Sequence, residues 1–289
     1  MNKFFCTIVD KKYLPFGRAL LDSLRATTSS EFTLFFLCLD DESFDSLENE
    51  ASIQRIKLSE VEDFNQLSTD YKKNKPYNEY CWSLASTFCR HLLEKEKVPH
   101  ILYIDSDILF YQDVQIVYNE IKDSSIGIIR HRHNTSLSPD GEFNVGIVYF
   151  NNDEDGRSCA KWWNETMLLE KRPDLATIGD QKYLEEFPKI YGDSVAILDK
   201  TFAHGAPWNF RLYCYDTYPS KGTIIWGDKE QPLVFNHFSR LSINEETGDI
   251  SPTSGWYADH TFNFEIFKMP VVRHFYMDYL SKIKPYYKK

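Results

Sequence analysis

Short runs of apolar residues alternate with amphipathic segments through the first part of the chain. FFCTIVD (4–10) is an apolar run that ends in an acid, and apolar residues recur at helical spacing over 13–24. A second run, FTLFFLCLD (32–40), leads into an acidic segment with helical character (42–50) and then into IQRIKL (53–58). Continuous apolar runs of this length are typical of strands buried on both faces. The order of elements therefore predicts parallel strands joined by crossover helices.

The same alternation continues to about residue 170. A polar stretch, STDYKKNKPYN (68–78), separates the first half from a segment of helical periodicity over 81–96. ILYIDSDILF (101–110) then predicts a strand that is interrupted only by Asp-Ser-Asp, and FNVGIVYFNN (143–152) predicts a further strand that contains a glycine. An amphipathic helix is predicted over 157–171.

The domain organisation follows from where the pattern changes. From about residue 190 onward, proline, glycine and aromatic residues become frequent, as is typical of a loop-rich segment. The chain contains no internal repeat, low-complexity tract or clear linker. We therefore predict one α/β domain over 1–289, with a mainly parallel sheet flanked by helices in 1–190 and a looser portion in 191–289.

Composition narrows the class of protein. A chain of 289 residues with 42% hydrophobic content can bury a sizeable core, which excludes disorder as its general state. The formal net charge of -10 argues against a long nucleic acid as the main partner, because such binders carry a basic field. The aromatic content of 16% suits stacking on sugars or bases, and it equally suits an aromatic core.

Cysteine usage and the absence of long apolar stretches bear on location. The six cysteines form no CxxC pair, and four of them lie in apolar stretches, as small buried hydrophobic residues do. The first ten residues lack the apolar run of a signal peptide, and nowhere does an uncharged apolar stretch reach the length of a membrane span. We expect a cytoplasmic protein that is neither secreted nor membrane-spanning.

Two acids, Asp105 and Asp107, interrupt an apolar strand. Buried carboxylates repel each other and lose their hydration, so such a pair persists where a cation or hydrogen bonds compensate it. Ligands of parallel α/β sheets bind outside the carboxyl ends of the strands, and an extended backbone would direct both side chains to one side. The context favours a divalent metal site over a cap or turn. Asp153-Glu154-Asp155 repeats the spacing without that context.

Four motifs then occur in a familiar order: ILYIDSDILF, FNVGIVYFNN, GDQKYL and NHFS. Their order and spacing resemble those of GT-A-fold glycosyltransferases of the glycogenin and lipopolysaccharide galactosyltransferase group, of the family 8 type. An Ala-Pro-Trp-Asn segment (206–209) is most similar to bacterial surface-polysaccharide transferases. The resemblance spans nearly the whole chain. It implies transfer of a sugar from a nucleotide diphosphate to a hydroxyl of a glycan or lipid-linked saccharide, and it favours retention of configuration.

The resemblance also implies a metal ligand set. Asp105 and Asp107 would hold Mn²⁺ or Mg²⁺ against the two phosphates of the donor, with His237 of NHFS as the third ligand. An imidazole beside two carboxylates favours Mn²⁺, and the cation would neutralise charge on the departing nucleoside diphosphate. Without the resemblance, a lone histidine after an apolar run is more often structural. His131 and His133 are an alternative metal pair, although a surface or acceptor contact suits them better.

Further positions correspond to donor contacts of the family. Asn144 would contact the donor sugar beside Gly146, whose small size would leave room for it; the alternative is a glycine that only permits close packing. Asp180 and Gln181 would lie against the reacting face of the sugar, and Asp180 could instead cap a helix. The family often has another acid at the position of Lys182, so the family's detailed contacts with the sugar do not apply to this chain at that position.

The nucleotide would lie at the N-terminal strand. Four residues correspond to the family's contacts with the base and ribose of the donor: Thr7, Val9, Asp10 and Tyr13. Ser106, between the two predicted metal ligands, is a further predicted donor contact. A carboxylate suits ribose hydroxyls, although Asp10 could also be an ordinary loop acid. Arg90, on the helix before the metal strand, could reach a phosphate. Relatives often carry a lysine near the position of Ala85, and this chain lacks it. The resemblance therefore assigns no basic residue to the donor phosphates.

Two other functions compete with sugar transfer. A sugar-1-phosphate nucleotidyltransferase uses a similar sheet and metal, but its glycine-rich, basic N-terminal loop is unlike TIVDKKYLPFGRAL. A noncatalytic carbohydrate-binding protein would account for the aromatic residues and not for the buried acids.

The C-terminal segment 268–289 differs in charge from the rest of the chain. It carries six basic residues and one acid, with five aromatic residues between them. Such a segment can rest in the headgroup layer of an anionic membrane, which predicts peripheral contact beside a lipid-linked acceptor. The alternative is a solvated helix whose aromatic residues pack on the domain.

Overall fold

The computed structural model describes most of the chain. The described residues are 2–48, 50–132, 141–176, 179–198, 200–213, 223–226, 229–239, 241–243, 250–252 and 270–287. The strands are β1 (Lys3–Val9), β2 (Phe32–Cys38), β3 (Ile53–Lys57), β4 (His100–Ile104), β5 (Ile108–Phe110), β6 (Ile126–Arg130), β7 (Phe143–Asn151), β8 (Val195–Leu198), β9 (Ala203–Gly205), β10 (Thr223–Trp226), β11 (Lys229–His237), β12 (Leu241–Ile243) and β13 (Ile250–Pro252). The helices are α1 (Leu14–Thr27), α2 (Asp41–Ser46), α3 (Leu58–Phe64), α4 (Gln66–Asn74), α5 (Tyr77–Glu94), α6 (Gln115–Ile121), α7 (Glu154–Leu168), α8 (Phe187–Tyr191) and α9 (Pro270–Ile283).

A seven-stranded sheet in the order β3-β2-β1-β4-β7-β6-β8 forms the centre of the molecule. The β3-β2, β2-β1, β1-β4 and β6-β8 pairs are parallel, whereas β7 runs antiparallel to both of its neighbours. The predicted α/β architecture with a mainly parallel sheet is confirmed. The reversed direction of β7 was not predicted, because a strand buried on both faces has the same pattern in either direction.

Helices cover both faces of this sheet. Alternate residues of each strand point to opposite faces, so Cys6 and Tyr103 pack with α5 and α7, whereas Phe5 and Leu102 pack with α1 and α6. Cys6, Cys38, Cys89 and Cys159 are buried free thiols, as their apolar surroundings predict. None of the helices that the structure describes has the length and apolarity that a membrane crossing requires.

A second sheet joins the later part of the chain to the predicted metal segment. It has the order β10-β11-β5, and β9 pairs with β11 in parallel. β11 runs antiparallel to β5, with His237 opposite Ile108 and Phe235 opposite Phe110. The run ILYIDSDILF is therefore not one strand. It contributes β4 to the central sheet and β5 to the second sheet, and the two acids lie in the connection between them.

The polar stretch 68–78 is helical rather than an irregular separator. It lies in α4 and in the first turn of α5. Leu67 and Tyr71, one helical turn apart, pack against the core on one side of the central sheet, with Tyr71 buried and Leu67 partly buried. The lysines dominate the composition of the stretch, but the spacing of these two residues fits an amphipathic helix.

The C-terminal helix packs on the domain. Phe275, Tyr276 and Tyr279 of α9 are buried in a cluster that includes Phe16 of α1 and Phe238 after β11. The rings of Phe238 and Tyr279 stack with their centroids 4.0 Å apart. The expectation that these aromatic residues enter a headgroup layer is therefore wrong for three of the five, because the domain already covers them.

Candidate metal and donor site

A tight turn at the carboxyl end of β4 presents the two acids. The backbone N–H of Ile108 donates to the carbonyl of Asp105 at 3.2 Å, and the N–H of Asp105 donates to the carbonyl of Gly146 at 2.9 Å. The carboxylates converge because the chain turns between β4 and β5. The expected extended backbone across Asp105, Ser106 and Asp107 was wrong, since β5 leaves the central sheet to pair with β11.

The turn brings the acids to the side chain of His237. One ligand atom from each of the three residues lies within 4.8 Å of the others. His237 Nε2 is 3.1 Å from an oxygen of Asp107 and 3.6 Å from an oxygen of Asp105. Pairing of β11 with β5 carries His237 to this position. The structure thus brings together the three residues that were predicted as metal ligands.

The charges of this cluster are strongly coupled. Burial raises the pKa of Asp105, and the carboxylate of Asp107 adds to the rise against the opposing effect of His237. Burial opposes the charged form of His237, but Asp107 and Asp105 outweigh it and raise the pKa of the imidazole. The hydroxyl of Tyr103 donates to Asp105 at 2.8 Å. The raised pKa of the imidazole favours positive charge beside the two carboxylates, which a divalent cation can also supply.

The donor set fits a divalent metal. The imidazole Nδ1 of His237 lies 3.3 Å from Asn144 Oδ1, and that oxygen also accepts from the backbone N–H of Gly146 at 2.8 Å. An amide oxygen only accepts, so Nδ1 of His237 carries a hydrogen, and Nε2, which faces the two carboxylates, is the nitrogen that would bind a cation after losing its proton. An imidazole oriented in this way beside two carboxylates fits a divalent cation.

Gly146 makes room for protein atoms. A Cβ at this position would lie 2.4 Å from Asn144 Oδ1 and 2.8 Å from His237 Nδ1. The space beside Gly146 is therefore occupied by these two side chains. The expectation that it is left for the donor sugar was wrong, although the requirement for a small residue holds.

A cavity of about 540 Å³ opens above the three ligands, which is a size typical of small-molecule sites. The predicted residues that line it are Asp10, Tyr13, Asp105, Ser106, Asp107, His131, Asn144, Asp180, Gln181 and His237. Burial raises the pKa of Asp180 to about 8, with a contribution from the charge of Asp105. Four of the lining residues are aspartates, and none of the described lining residues is a lysine or an arginine.

Three predicted donor contacts lie elsewhere. Thr7 and Val9 are buried on the α1 side of β1, and strand alternation turns Ile8 and Asp10 toward the cavity instead. Arg90 pairs with Glu94 at 2.8 Å and with Glu165 of α7 at 3.2 Å. The i, i+4 spacing of Arg90 and Glu94 is the signal for this pairing, and it could have been found in the sequence. The cation for the donor phosphates is not Arg90 in this structure.

Aromatic residues at the start of α5 line the cavity and were not predicted. Tyr77 and Trp82 are 61% and 43% exposed, which is unusual for such large side chains. The Trp82 ring lies against Gly179, so that a Cβ built on Gly179 would be 3.1 Å from the ring. The φ angle of Gly179 is +63°. Tyr77 ends the polar stretch 68–78 and Trp82 lies at the start of the predicted helix 81–96, so their position just after Pro76 was the available signal.

The Ala-Pro-Trp-Asn segment supports the site and contributes Trp208 to the cavity wall. Trp208 Nε1 donates to the carbonyl of His131 at 2.9 Å, and Asn209 donates to the same oxygen at 3.1 Å. The edge of the Trp208 ring also contacts His237, with ring centroids 5.2 Å apart. His131 faces Asn144 rather than the three ligands. His133 lies outside the described residues.

Comparison with known proteins agrees with this geometry. The family model described as glycosyl transferase family 8 matches residues 5–225. YfnD of Bacillus subtilis (strain 168), an uncharacterised protein, is 25% identical over 292 residues, which cover 97% of this chain and 88% of YfnD.

Two solved structures share the fold. The galactosyltransferase LgtC, in complex with donor and acceptor sugar analogues, superimposes with a TM-score of 0.60 at 14% identity, over 99% of this chain and 96% of LgtC. Mouse xyloside xylosyltransferase 1 in its apo form gives 0.54 at 14% identity, over 83% and 98%. Both likenesses support the GT-A architecture. Because the family match covers well over half of its length, the chain is a glycosyltransferase that belongs to glycosyl transferase family 8.

Proposed function

We propose that this enzyme transfers a sugar from a nucleotide diphosphate to a hydroxyl of a glycan acceptor, with a divalent cation held by Asp105, Asp107 and His237. The observation that carries the proposal is the convergence of these three ligands within 4.8 Å on the wall of the large cavity. When bound, the cation neutralises charge that develops on the departing nucleoside diphosphate.

The charge of the cavity supports a requirement for metal. Its four aspartates repel a nucleotide diphosphate, and none of the described lining residues is a lysine or an arginine that could offset them. A donor phosphate can therefore approach Asp105 and Asp107 only when a cation lies between them. Mn²⁺ is the proposed ion because one of the three ligands is an imidazole.

Two groups of lining residues suggest how the donor lies. Asp10 and Tyr13 line the cavity after β1, and the backbone N–H of Tyr13 donates to Asp10 at 2.8 Å, which orients the carboxylate. We assign these two residues to the base and ribose end of the donor. Gln181 and Asp180 also line the cavity, and Asn144 donates to Gln181 Oε1 at 3.3 Å. We assign Gln181 and Asp180 to the sugar end.

The residues at the sugar end favour retention of configuration. An inverting enzyme needs an ionised base on the acceptor side. Gln181 cannot accept a proton, and a pKa of about 8 leaves Asp180 mostly neutral at pH 7 in the metal-free protein. The acceptor proton would then leave through an oxygen of the donor phosphate, on the face that the leaving group vacates.

The proposed setting is cytoplasmic assembly of a cell-surface polysaccharide or glycoconjugate. Peripheral membrane contact would now rest on the exposed side of the C-terminal segment, which includes Arg273, Met277, Lys282 and Lys284. Deletion of α9 would expose buried residues, so the appropriate variant is Arg273→Glu with Lys282→Glu. Equal flotation of this variant and the parent with anionic liposomes at low salt would remove membrane contact from the proposal.

A donor panel tests the proposed function. UDP-, GDP- and dTDP-sugars, with a CMP-sugar as a monophosphate comparison, are incubated with the enzyme and Mn²⁺ or with EDTA. We expect release of nucleoside diphosphate from at least one donor in Mn²⁺ and none in EDTA. Pyrophosphate release from a nucleoside triphosphate and a sugar-1-phosphate would indicate a nucleotidyltransferase, and donor binding without turnover would indicate a binding protein.

A further inference from the structure

His131 lines the cavity, and it is buried and held on several sides. Its side chain is in contact with Asn144 at 3.1 Å, and its ring edge meets Trp208 with centroids 5.4 Å apart. Its backbone N–H donates to the carbonyl of Glu142 at 2.8 Å. We propose that His131 is a positioning residue, which fixes the amide of Asn144 and through it orients both His237 and Gln181. The proposal rests on the function proposed above.

The orientation of the Asn144 amide follows from one backbone contact. The N–H of Gly146 can only donate, and it lies 2.8 Å from one atom of the amide, so that atom is the oxygen. The amide nitrogen of Asn144 then faces His131 Nε2 at 3.1 Å and Gln181 Oε1 at 3.3 Å. Each of its two hydrogens thus has an acceptor.

The tautomer of His131 follows in the same way. Its Nδ1 lies 3.0 Å from the carbonyl oxygen of Gly141, which only accepts, so Nδ1 carries the hydrogen. Nε2 then carries no hydrogen and can accept from the amide nitrogen of Asn144. Asn144 therefore donates to His131, and His131 donates to the carbonyl of Gly141.

The consequence reaches the metal ligands through the other end of Asn144. If the Asn144 amide were flipped, its NH₂ group would face the N–H of Gly146 and Nδ1 of His237. Nδ1 could accept from this NH₂ group only if the hydrogen of the imidazole were on Nε2, which faces Asp107 at 3.1 Å. That tautomer has no lone pair for a cation. The acceptor at His131 Nε2 therefore favours the tautomer of His237 that can bind metal.

Gln181 is oriented by the same amide. Because Asn144 donates to Oε1 of Gln181, the NH₂ group of Gln181 is left to point at a ligand in the cavity. Loss of the acceptor on His131 would release both side chains at once. A residue with a purely structural role would lower stability without this joint effect on metal binding and turnover.

The test compares three variants of the full chain. His131→Phe keeps a ring against Trp208 and removes both nitrogens, whereas His131→Gln supplies an amide that can accept from Asn144 and donate to Gly141. His100→Phe is the control, because His100 is a buried histidine at the start of β4 that does not line the cavity. Mn²⁺ binding without donor is measured by electron paramagnetic resonance. kcat and KM for donor hydrolysis, and the thermal unfolding midpoint, are measured on the same samples.

We expect His131→Phe to raise the Mn²⁺ dissociation constant about 10-fold or more and to lower kcat, as loss of a supporting hydrogen bond at a metal site does. His131→Gln should recover most of both losses, and His100→Phe should match the parent in both. Should the phenylalanine variant not fold, His131→Met repeats the comparison with a weak acceptor.

Two results would overturn the role of His131 alone: parental Mn²⁺ affinity and kcat in the folded phenylalanine variant, or a glutamine variant that is no better. Failure of the parent enzyme to bind Mn²⁺ at all is a different result, which would remove the proposed metal site together with the role of His131.

Discussion

Gly146 is the residue at which the metal site depends most directly on the absence of a side chain. Gly146→Ala would force a Cβ to within 2.4 Å of Asn144 Oδ1 and 2.8 Å of His237 Nδ1. One of these two side chains must move, which either displaces the proposed ligand His237 or breaks the contact with Asn144 that orients it. We expect Mn²⁺ affinity to fall about 10-fold or more in this variant, as measured by isothermal titration calorimetry.

Gly192→Ala is the matched control for that variant. Gly192 has a φ of +53°, and nothing lies within 4 Å of a Cβ built there. The alanine costs about 1 to 3 kcal/mol of backbone strain and touches nothing in the site, so stability should fall while Mn²⁺ affinity stays unchanged. Unchanged Mn²⁺ affinity in Gly146→Ala as well would show that the packing beside Gly146 does not position His237.

Gln181 tests the assignment of the sugar end. If its NH₂ group stabilises charge as the bond to the donor breaks, Gln181→Ala should lower kcat about 100-fold with little change in KM for the donor. Steady-state kinetics with the donor found in the panel measure both constants. A raised KM with an unchanged kcat would instead make Gln181 a residue that binds the ground state.

At the scale of elements, the two Asp-x-Asp motifs of the chain have different roles. Asp153 caps the N-terminus of α7, where it accepts from the N–H of Gly156 at 2.9 Å, and it also accepts from Ser125 and Asn151. Asp153→Ala should lower the free energy of unfolding by about 1 to 2 kcal/mol and leave Mn²⁺ affinity unchanged. Urea denaturation with a parallel Mn²⁺ titration checks both, and a loss of Mn²⁺ affinity would contradict the distinction.

The connection between β4 and β5 explains what could be predicted about the site. The apolar run before Asp105 predicts a strand, and acids at its carboxyl end predict a ligand site, so the first two ligands follow from local pattern. His237 lies 130 positions after Asp107 in the chain, and only the pairing of β11 with β5 brings it there. Such pairing is not a local property, which is why family resemblance was needed to identify the third ligand.

Strand alternation and helix spacing account for the donor contacts that were assigned wrongly. Thr7 and Val9 share a face of β1 that packs on α1, so Ile8 and Asp10, on the opposite face, reach the cavity instead. Tyr77 lies in a stretch whose composition is dominated by lysines, although helical spacing continues through it. In each case the periodicity of the element was more informative than the residue type.

At the scale of the whole molecule, the site is a concentration of acid in a chain of net charge -10. Burial raises the pKa of Asp180 to about 8 and also raises that of Asp105, while the neighbouring carboxylates raise that of His237. All three groups bind protons more tightly in the folded than in the unfolded chain. Their contribution to stability is therefore present at low pH and is lost as the pH rises through their folded pKa values.

The metal-free protein should accordingly become less stable as the pH rises from about 4, near the pKa of an aspartate in the unfolded chain, through about 8, the folded pKa of Asp180. Asp180→Asn removes the contribution of Asp180, because a neutral amide has no proton to lose. We expect its thermal unfolding midpoint in EDTA to match the parent near pH 4 and to exceed it by several degrees at pH 9. Parallel curves for the two proteins across this range would contradict the raised pKa of Asp180.

The most direct test of the whole account is a Mn²⁺ titration of donor hydrolysis with the parent enzyme and with Asp107→Asn. We expect the activity of the parent to follow occupancy of one Mn²⁺ per chain and to vanish in EDTA. Asp107→Asn should remain folded, bind Mn²⁺ about 10-fold or more weakly, and lose activity at Mn²⁺ concentrations that saturate the parent. Full activity of the parent in EDTA, or parental Mn²⁺ affinity and turnover in Asp107→Asn, would contradict the assignment of Asp105, Asp107 and His237 as the metal site.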